Sequence, residues 1–184
     1  MGFLGRQRFR LLGVVLAWAV TGPAVAQPTR EYDLKAAFLY NFAAFIDWPR
    51  QAFPDPEAPF VIGVLGTDPF GVVLDEMVRG ELAKDRPLLV RRLTRVSEAP
   101  NCHILFISRS EAARVPEILR HCQERAVLTV SDIPGFVHAG GMIGFTMDGN
   151  RVLLHVNPHA AASAQLVISS KLLRVAYNVT GGVR

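Results

Sequence analysis

Between Glu31 and Asp47 the apolar positions recur at helical spacing, through Leu34, Ala37, Phe38, Phe42, Phe45 and Ile46, with Asn41 set among them. Apolar residues also cover much of the rest of the circumference, which predicts a buried or covered helix. Trp48-Pro49 ends it, because a residue before proline is pushed out of helical geometry. Phe53-Pro-Asp-Pro-Glu-Ala-Pro59 follows as a proline-rich connector. Phe60–Leu65 is then a short, unbroken apolar run closed by Gly66, the pattern of a buried strand. Leu88–Leu93, Cys102–Ser108 and Ala126–Val130 are the second, third and fourth predicted strands. Between them, Thr67-Asp68-Pro69 opens a helix over Val72–Val78, and Ser110–Cys122 is helical in part with a restart at Pro116.

After residue 140 the rhythm changes. Met142–Met147 and Arg151–Val156 flank Asp148-Gly149-Asn150, which predicts a hairpin with glycine in its turn. Pro158–Gln165 reads as a helix, and Ser169 is placed to cap a last helix over Ser170–Val179. Strands alternating with helices, then a hairpin, predict an α/β fold. It is a single three-layer Rossmann-like domain with a mostly parallel sheet, a C-terminal β-hairpin and closing helices.

The N-terminus follows a different logic. Arg6, Arg8 and Arg10 form a positive region, Leu11–Val20 an apolar one, and Ala24-Val25-Ala26 a small-residue cleavage site. The apolar run falls short of the ~20 residues needed to span a bilayer. Residues 1–26 are therefore expected to be a signal peptide, and residues 27–184 the exported domain. The three arginines account for most of the formal charge of +4. The remainder is nearly neutral, without the basic patch of a nucleic-acid binder.

Cys102 and Cys122 both lie in the exported part. An oxidising compartment favours one disulfide between them, and a strand rising from Cys102 and a helix descending to Cys122 would return the chain to its starting edge. Such a bridge would stabilise by about 3 kcal/mol. Two buried free thiols are the alternative.

The motifs for chemistry are sparse. Gly63, Gly66 and Gly71 do not follow the dinucleotide-binding order. His155 and His159 are separated by a strand–proline junction, and His103, His121 and His138 lie apart from carboxylate clusters, so no metal site and no cofactor are expected. Ser108, Ser131 and Ser169 lack a nucleophile elbow, and Asp132 and Asp148 belong to turns. No catalytic residue is assigned. Gly140-Gly141 reads as a loop with positive φ leading into the hairpin; a mobile flap over Phe136–Gly141 is the alternative.

Several blocks resemble the YfiR family. They are Lys35-Ala36-Ala37-Phe38-Leu39-Tyr40-Asn41-Phe42 with Phe45 and Trp48-Pro49; Val64-Leu65-Gly66 with Asp68-Pro69-Phe70-Gly71; and Cys102-His103-Ile104-Leu105-Phe106-Ile107-Ser108. Leu128-Thr129-Val130-Ser131-Asp132, Gly135-Phe136, Gly140-Gly141-Met142-Ile143, Val156-Asn157-Pro158 and Ile168-Ser169-Ser170-Lys171-Leu172-Leu173-Arg174-Val175-Ala176 complete the likeness. The resemblance implies a periplasmic regulator without enzymatic activity. It would repress a membrane-bound diguanylate cyclase, and so lower cyclic-di-GMP signalling, by protein–protein contact. An outer-membrane lipoprotein and a second copy of the chain are further candidate partners. The best-understood member has two disulfides, whereas this chain has cysteines for only one.

On the residues themselves, the first helix and its exit form the candidate partner surface: Lys35, Phe38, Asn41, Phe42, Phe45 and Trp48, joined by Lys171. The competing reading makes the aromatics core and the polar residues internal caps. A periplasmic small-ligand receptor is the second hypothesis, with a pocket at the carboxyl edge of the sheet near Gly66, Asp68, Phe70, Ser131 and Phe136.

Overall fold

The computed structural model describes residues 28–53, 55–123 and 125–180. The proposed signal peptide lies outside them. Helix α1 (Pro28–Phe45) runs into β1 (Ile46–Asp47), a short 3-10 turn and the connector. Then come β2 (Phe60–Leu65), α2 (Val72–Val78), β3 (Leu82–Ala83), β4 (Arg86–Leu93), β5 (Ile104–Ile107), α3 (Val115–Cys122) and β6 (Leu128–Ser131). The chain closes with β7 (Ile143–Asp148), β8 (Arg151–Val156), α4 (Pro158–Ser163), β9 (Val167–Ile168), α5 (Ser170–Val175) and β10 (Asn178–Val179).

Eight strands form one sheet in the order β10-β8-β7-β6-β5-β2-β4-β3. Strands β4, β2, β5, β6 and β7 run parallel, while β7 and β8 form the antiparallel hairpin. The first parallel strand is therefore flanked by the second on one side and the third on the other. That places a topological switch point between β2 and β5, at the ends marked by Gly66 and Ser108. All six residues of β2 are buried, which is why its sequence is apolar without alternation.

Each face of the sheet has its own core. Ala36, Leu39, Phe42 and Ala43 of α1, Leu74 and Val78 of α2, Ala161 and Leu172 pack on one face against Ile62, Val64, Phe106 and Phe145. Val115, Ile118 and Cys122 of α3, with Val96, Ala99 and Phe136, cover the other against Leu65, Leu105 and Ile107. The three layers match the expected α/β architecture.

Three local expectations are corrected. The first helix stops at Phe45, and Ile46–Asp47 pairs antiparallel with Val167–Ile168 as a separate two-stranded sheet. The last helix stops at Val175, because Ala176 is extended and the Tyr177 amide turns to the Leu154 carbonyl; Asn178–Val179 then adds to β8. Ser169 does cap that helix, its Oγ accepting from the Leu172 amide at 3.3 Å. The restart at Pro116 is as expected: a 3-10 helix over Arg109–Arg114 gives way to α3, with Pro116 in its first turn. Finally, Cys102 and Cys122 are free thiols, not a disulfide. The strand–helix return does bring both into the second core, but burial there keeps each thiol protonated, with pKa values pushed up to about 11 and about 12. Gly63 makes the room: a Cβ there would lie 2.5 Å from the Cys102 sulfur.

Candidate functional site

The densest polar arrangement among the described residues lies where the first turns of α1 cross the carboxyl ends of β5 and β6. Lys35 sits on the inner face of α1, flanked by Ala36 and Leu39, so the helix carries its ammonium into the interior; the side chain is fully buried. There Nζ donates to Asp132 Oδ2 at 2.6 Å and also bonds Glu31 one turn earlier. Asp132 directly follows β6 and is 3 % exposed. Its Oδ2 accepts from the Tyr32 hydroxyl at 2.9 Å and meets Arg109 Nε at 3.2 Å. Arg109 is the half-open member of the group, arriving from the turn after β5.

The electrostatics are tightly matched. Two cations face two carboxylates, as desolvated charge requires. The Lys35 ammonium also lies 4.4 Å from the centre of the Tyr32 ring. Burial first, and the Asp132 carboxylate second, push the Tyr32 phenol up to about 12. Tyr32 packs edge-on to Phe70, and Phe70 edge-on to Phe106, tying the cluster to the first core. Asp132 Oδ1 is buried with no hydrogen-bond partner among the described residues. This group can hold charge in place and fix α1 to the sheet.

The candidate partner residues divide sharply. Phe42 is fully buried, stacked on Phe145 at 6.1 Å, and Phe38 and Phe45 pack against the same core. Trp48 lies edge-on to Phe60 at 4.9 Å with its Nε1 buried and unpartnered. Lys35 is committed as above. Asn41 is exposed but donates to the Ala37 carbonyl of its own helix, and Lys171 is exposed on α5. The most exposed large apolar side chains nearby on the chain are Val175 (66 %) and Tyr177 (69 %).

The candidate pocket residues are mostly spent on local structure. Gly66, with φ +88°, ends β2 against Ser110, whose Oγ accepts from the Thr67 amide. Asp68 accepts from the Phe70 amide and from Arg92 Nε. Ser131 Oγ donates to the Ile107 carbonyl and accepts from the Ile133 amide. Phe70 is core. Phe136 is buried too, yet it also walls a cavity of about 140 Å³ with Val137, Gly144, Thr146, His155 and Thr180. In it, Thr146 Oγ1 and His155 Nε2 are 2.8 Å apart. Gly141 lies so close to the Phe136 ring that a side chain would collide with it, which holds the 136–141 loop packed down.

Sequence reasoning found Lys35 but not its partners. Asp132 read as a turn residue, and Glu31, Tyr32 and Arg109 carried no motif. The available signal was a lysine on an apolar helix face with a glutamate four residues before it. Among the described residues, no three His, Cys, Asp or Glu side chains converge as metal ligands. No described helix is long and apolar enough to cross a membrane.

An α/β sandwich whose parallel strands follow a flavodoxin-like order defines a broad class. Within it, this chain belongs to the YfiR/HmsC-like family, whose profile matches residues 32–177. No curated protein matches it. Among solved structures it is similar to a conserved domain protein from Vibrio cholerae O1 biovar El Tor, at 12 % identity and a TM-score of 0.52. That match covers 81 % of this chain and 60 % of the Vibrio chain, and it speaks to fold alone. The ABC domain of a Streptococcus pneumoniae protein in complex with L-Trp is also similar, at 11 % identity and a TM-score of 0.48, covering 65 % of this chain and 55 % of that one.

Proposed function

We propose that this protein is an exported periplasmic regulator that represses a membrane-bound diguanylate cyclase by direct contact. The observation that carries the reading is membership of the YfiR/HmsC-like family over residues 32–177. The N-terminal pattern of arginines, apolar run and Ala-Val-Ala supports export. Because Phe38, Phe42, Phe45 and Trp48 serve the core, the contact surface is assigned to exposed residues: Lys171 with Val175 and Tyr177 on and after α5. Aromatic and aliphatic groups left in water beside a cation suit an interface centre.

A photo-crosslinking residue at position 175 or 177, in cells that express the chain, tests this. The expected outcome is a crosslink to an inner-membrane cyclase, and a rise in cyclic-di-GMP when the gene is deleted. Crosslinks to no membrane protein, with unchanged cyclic-di-GMP, would overturn it. The cavity behind Phe136 supports a second reading, in which a small ligand is the input; a thermal-shift screen of periplasmic metabolites tests that, with His155→Ala as the control.

A further inference from the structure

Two side chains tie the segment between β1 and β2 to the sheet: Arg86 holds its later half, through the Asp55 and Ala58 carbonyls, and one histidine holds its earlier half. His103, at the start of β5, accepts the Val61 amide at Nδ1 (3.0 Å) and faces the Ala52 carbonyl through Nε2 at 3.2 Å. Only the neutral ring protonated at Nε2 satisfies both contacts. The same ring is stacked between Phe53 (centroids 4.6 Å apart) and Phe60 (4.7 Å). Two of its four neighbours, Ala52 and Phe53, lie at the junction of the 3-10 turn and the connector; the other two, Phe60 and Val61, belong to β2.

The charged surroundings are positive. Arg86 lies 4.6 Å from the Phe53 ring centre and donates to the Asp55 and Ala58 carbonyls. Arg91 and Arg125 line the adjoining groove of about 500 Å³, and no acidic side chain is among its described lining residues. Asp55 in the connector accepts the Glu57 amide. A proton arriving at Nδ1 would set donor against donor at Val61 and place a cation among cations. Desolvation, reinforced by Arg86 and opposed by the Ala52 bond, accordingly holds the His103 pKa below the ordinary histidine value.

We propose that His103 is an acid-sensitive latch whose protonation releases the 3-10 turn Arg50–Ala52 and the adjoining Phe53 from the amino-terminal edge of the sheet while the rest of the fold persists. The segment is suited to local opening: its 3-10 turn, Arg50–Ala52, buries no residue. For the sign, a depressed histidine stabilises the closed form above its free pKa of about 6.5, and that stability is lost as pH falls below it toward the folded-state value. Acid thereby becomes an input to the regulator. That use rests on the regulatory reading above, whereas the latch itself is a property of the isolated protein.

Trp48 is the single tryptophan after residue 27 and touches Phe60, so its emission reports on the latch. The mature protein is titrated from pH 8 to 4.5 by Trp48 fluorescence, by far-UV circular dichroism and by exchange at the Val61 amide. Expected is a fluorescence transition below pH 6.5 with circular dichroism unchanged. Opening at Val61 should grow up to about tenfold per pH unit below 6.5 until the folded-state value is reached. His103→Gln should abolish the transition, and His155→Gln should leave it in place. Persistence in His103→Gln, or loss of the whole fold at the same pH, would overturn the proposal. Should His103→Gln fail to fold, the wild-type ring decides by NMR titration: a pKa at or above 6.5 refutes the latch, and one below it that coincides with the Trp48 transition sustains it.

Discussion

Removing the Lys35 ammonium while leaving Asp132 in place isolates the cost of a buried, uncompensated carboxylate. Lys35→Met keeps most of the aliphatic stem and the helix propensity, so packing changes little. Breaking a buried pair by deleting one partner costs about 3–5 kcal/mol. Here Asp132 keeps the Tyr32 hydroxyl at 2.9 Å and the half-open Arg109 guanidinium at 3.2 Å, which argues for the lower end, about 3 kcal/mol. At about 2–4 °C per kcal/mol for a chain of this size, Tm should fall by about 6–12 °C. Urea unfolding followed by Trp48 emission and circular dichroism gives the free energies. The double variant Lys35→Met/Asp132→Asn completes a cycle and should cost at least about 2 kcal/mol less than the sum of the single changes. A single-variant loss below about 1 kcal/mol, or strict additivity, would refute the argument that these charges depend on one another.

Alkaline pH should weaken the same region. The Tyr32 phenol is raised from 10 to about 12 in the fold, so the stability it contributes is intact below pH 10 and is lost as pH rises through 12; Tyr32→Phe should flatten that limb in unfolding curves. The thiols, raised to about 11 and about 12, should resist iodoacetamide in the native, reduced protein at pH 8 and react fully in denaturant, as read by intact mass. Gly63→Ala should destabilise by about 1–3 kcal/mol through the Cys102 sulfur, and Cys102→Ala in the same chain should restore part of the loss in urea titrations. Phe42→Ala should cost about 3–5 kcal/mol, because the ring is wholly enclosed between Phe38 and Phe145; calorimetry checks it.

The central parallel strands β2, β5 and β6 were readable because burial on both faces leaves largely apolar runs, as in Phe60–Leu65, and because Gly and Pro punctuate the chain around them. The hairpin was readable from Asp148-Gly149-Asn150. Pairings that depend on distant partners were not. Ile46–Asp47 becomes a strand only because Val167–Ile168 lies beside it, and Asn178–Val179 only because β8 offers an edge; two residues carry no period of their own. The charged cluster escaped for the same reason, since 97 positions separate Lys35 from Asp132. Phe38, Phe42, Phe45 and Trp48 were ambiguous on spacing alone, and the opposing sheet face resolved them as core. His103 showed no metal or catalytic pattern; its partners, Ala52 and Val61, lie 51 and 42 positions away.

The open sheet ends on two very short ladders, Leu82–Ala83 on one side and Asn178–Val179 on the other. The left-handed Lys84 and Asp85 form the two-residue turn that folds β3 back onto β4, so this edge strand pairs only Arg86 and Pro87, as β10 pairs only His155 and Val156. The outer edges of β4 after Leu88 and of β8 before Leu154 carry no partner strand among the described residues, so they are the two flanks on which an added strand from another chain would seat.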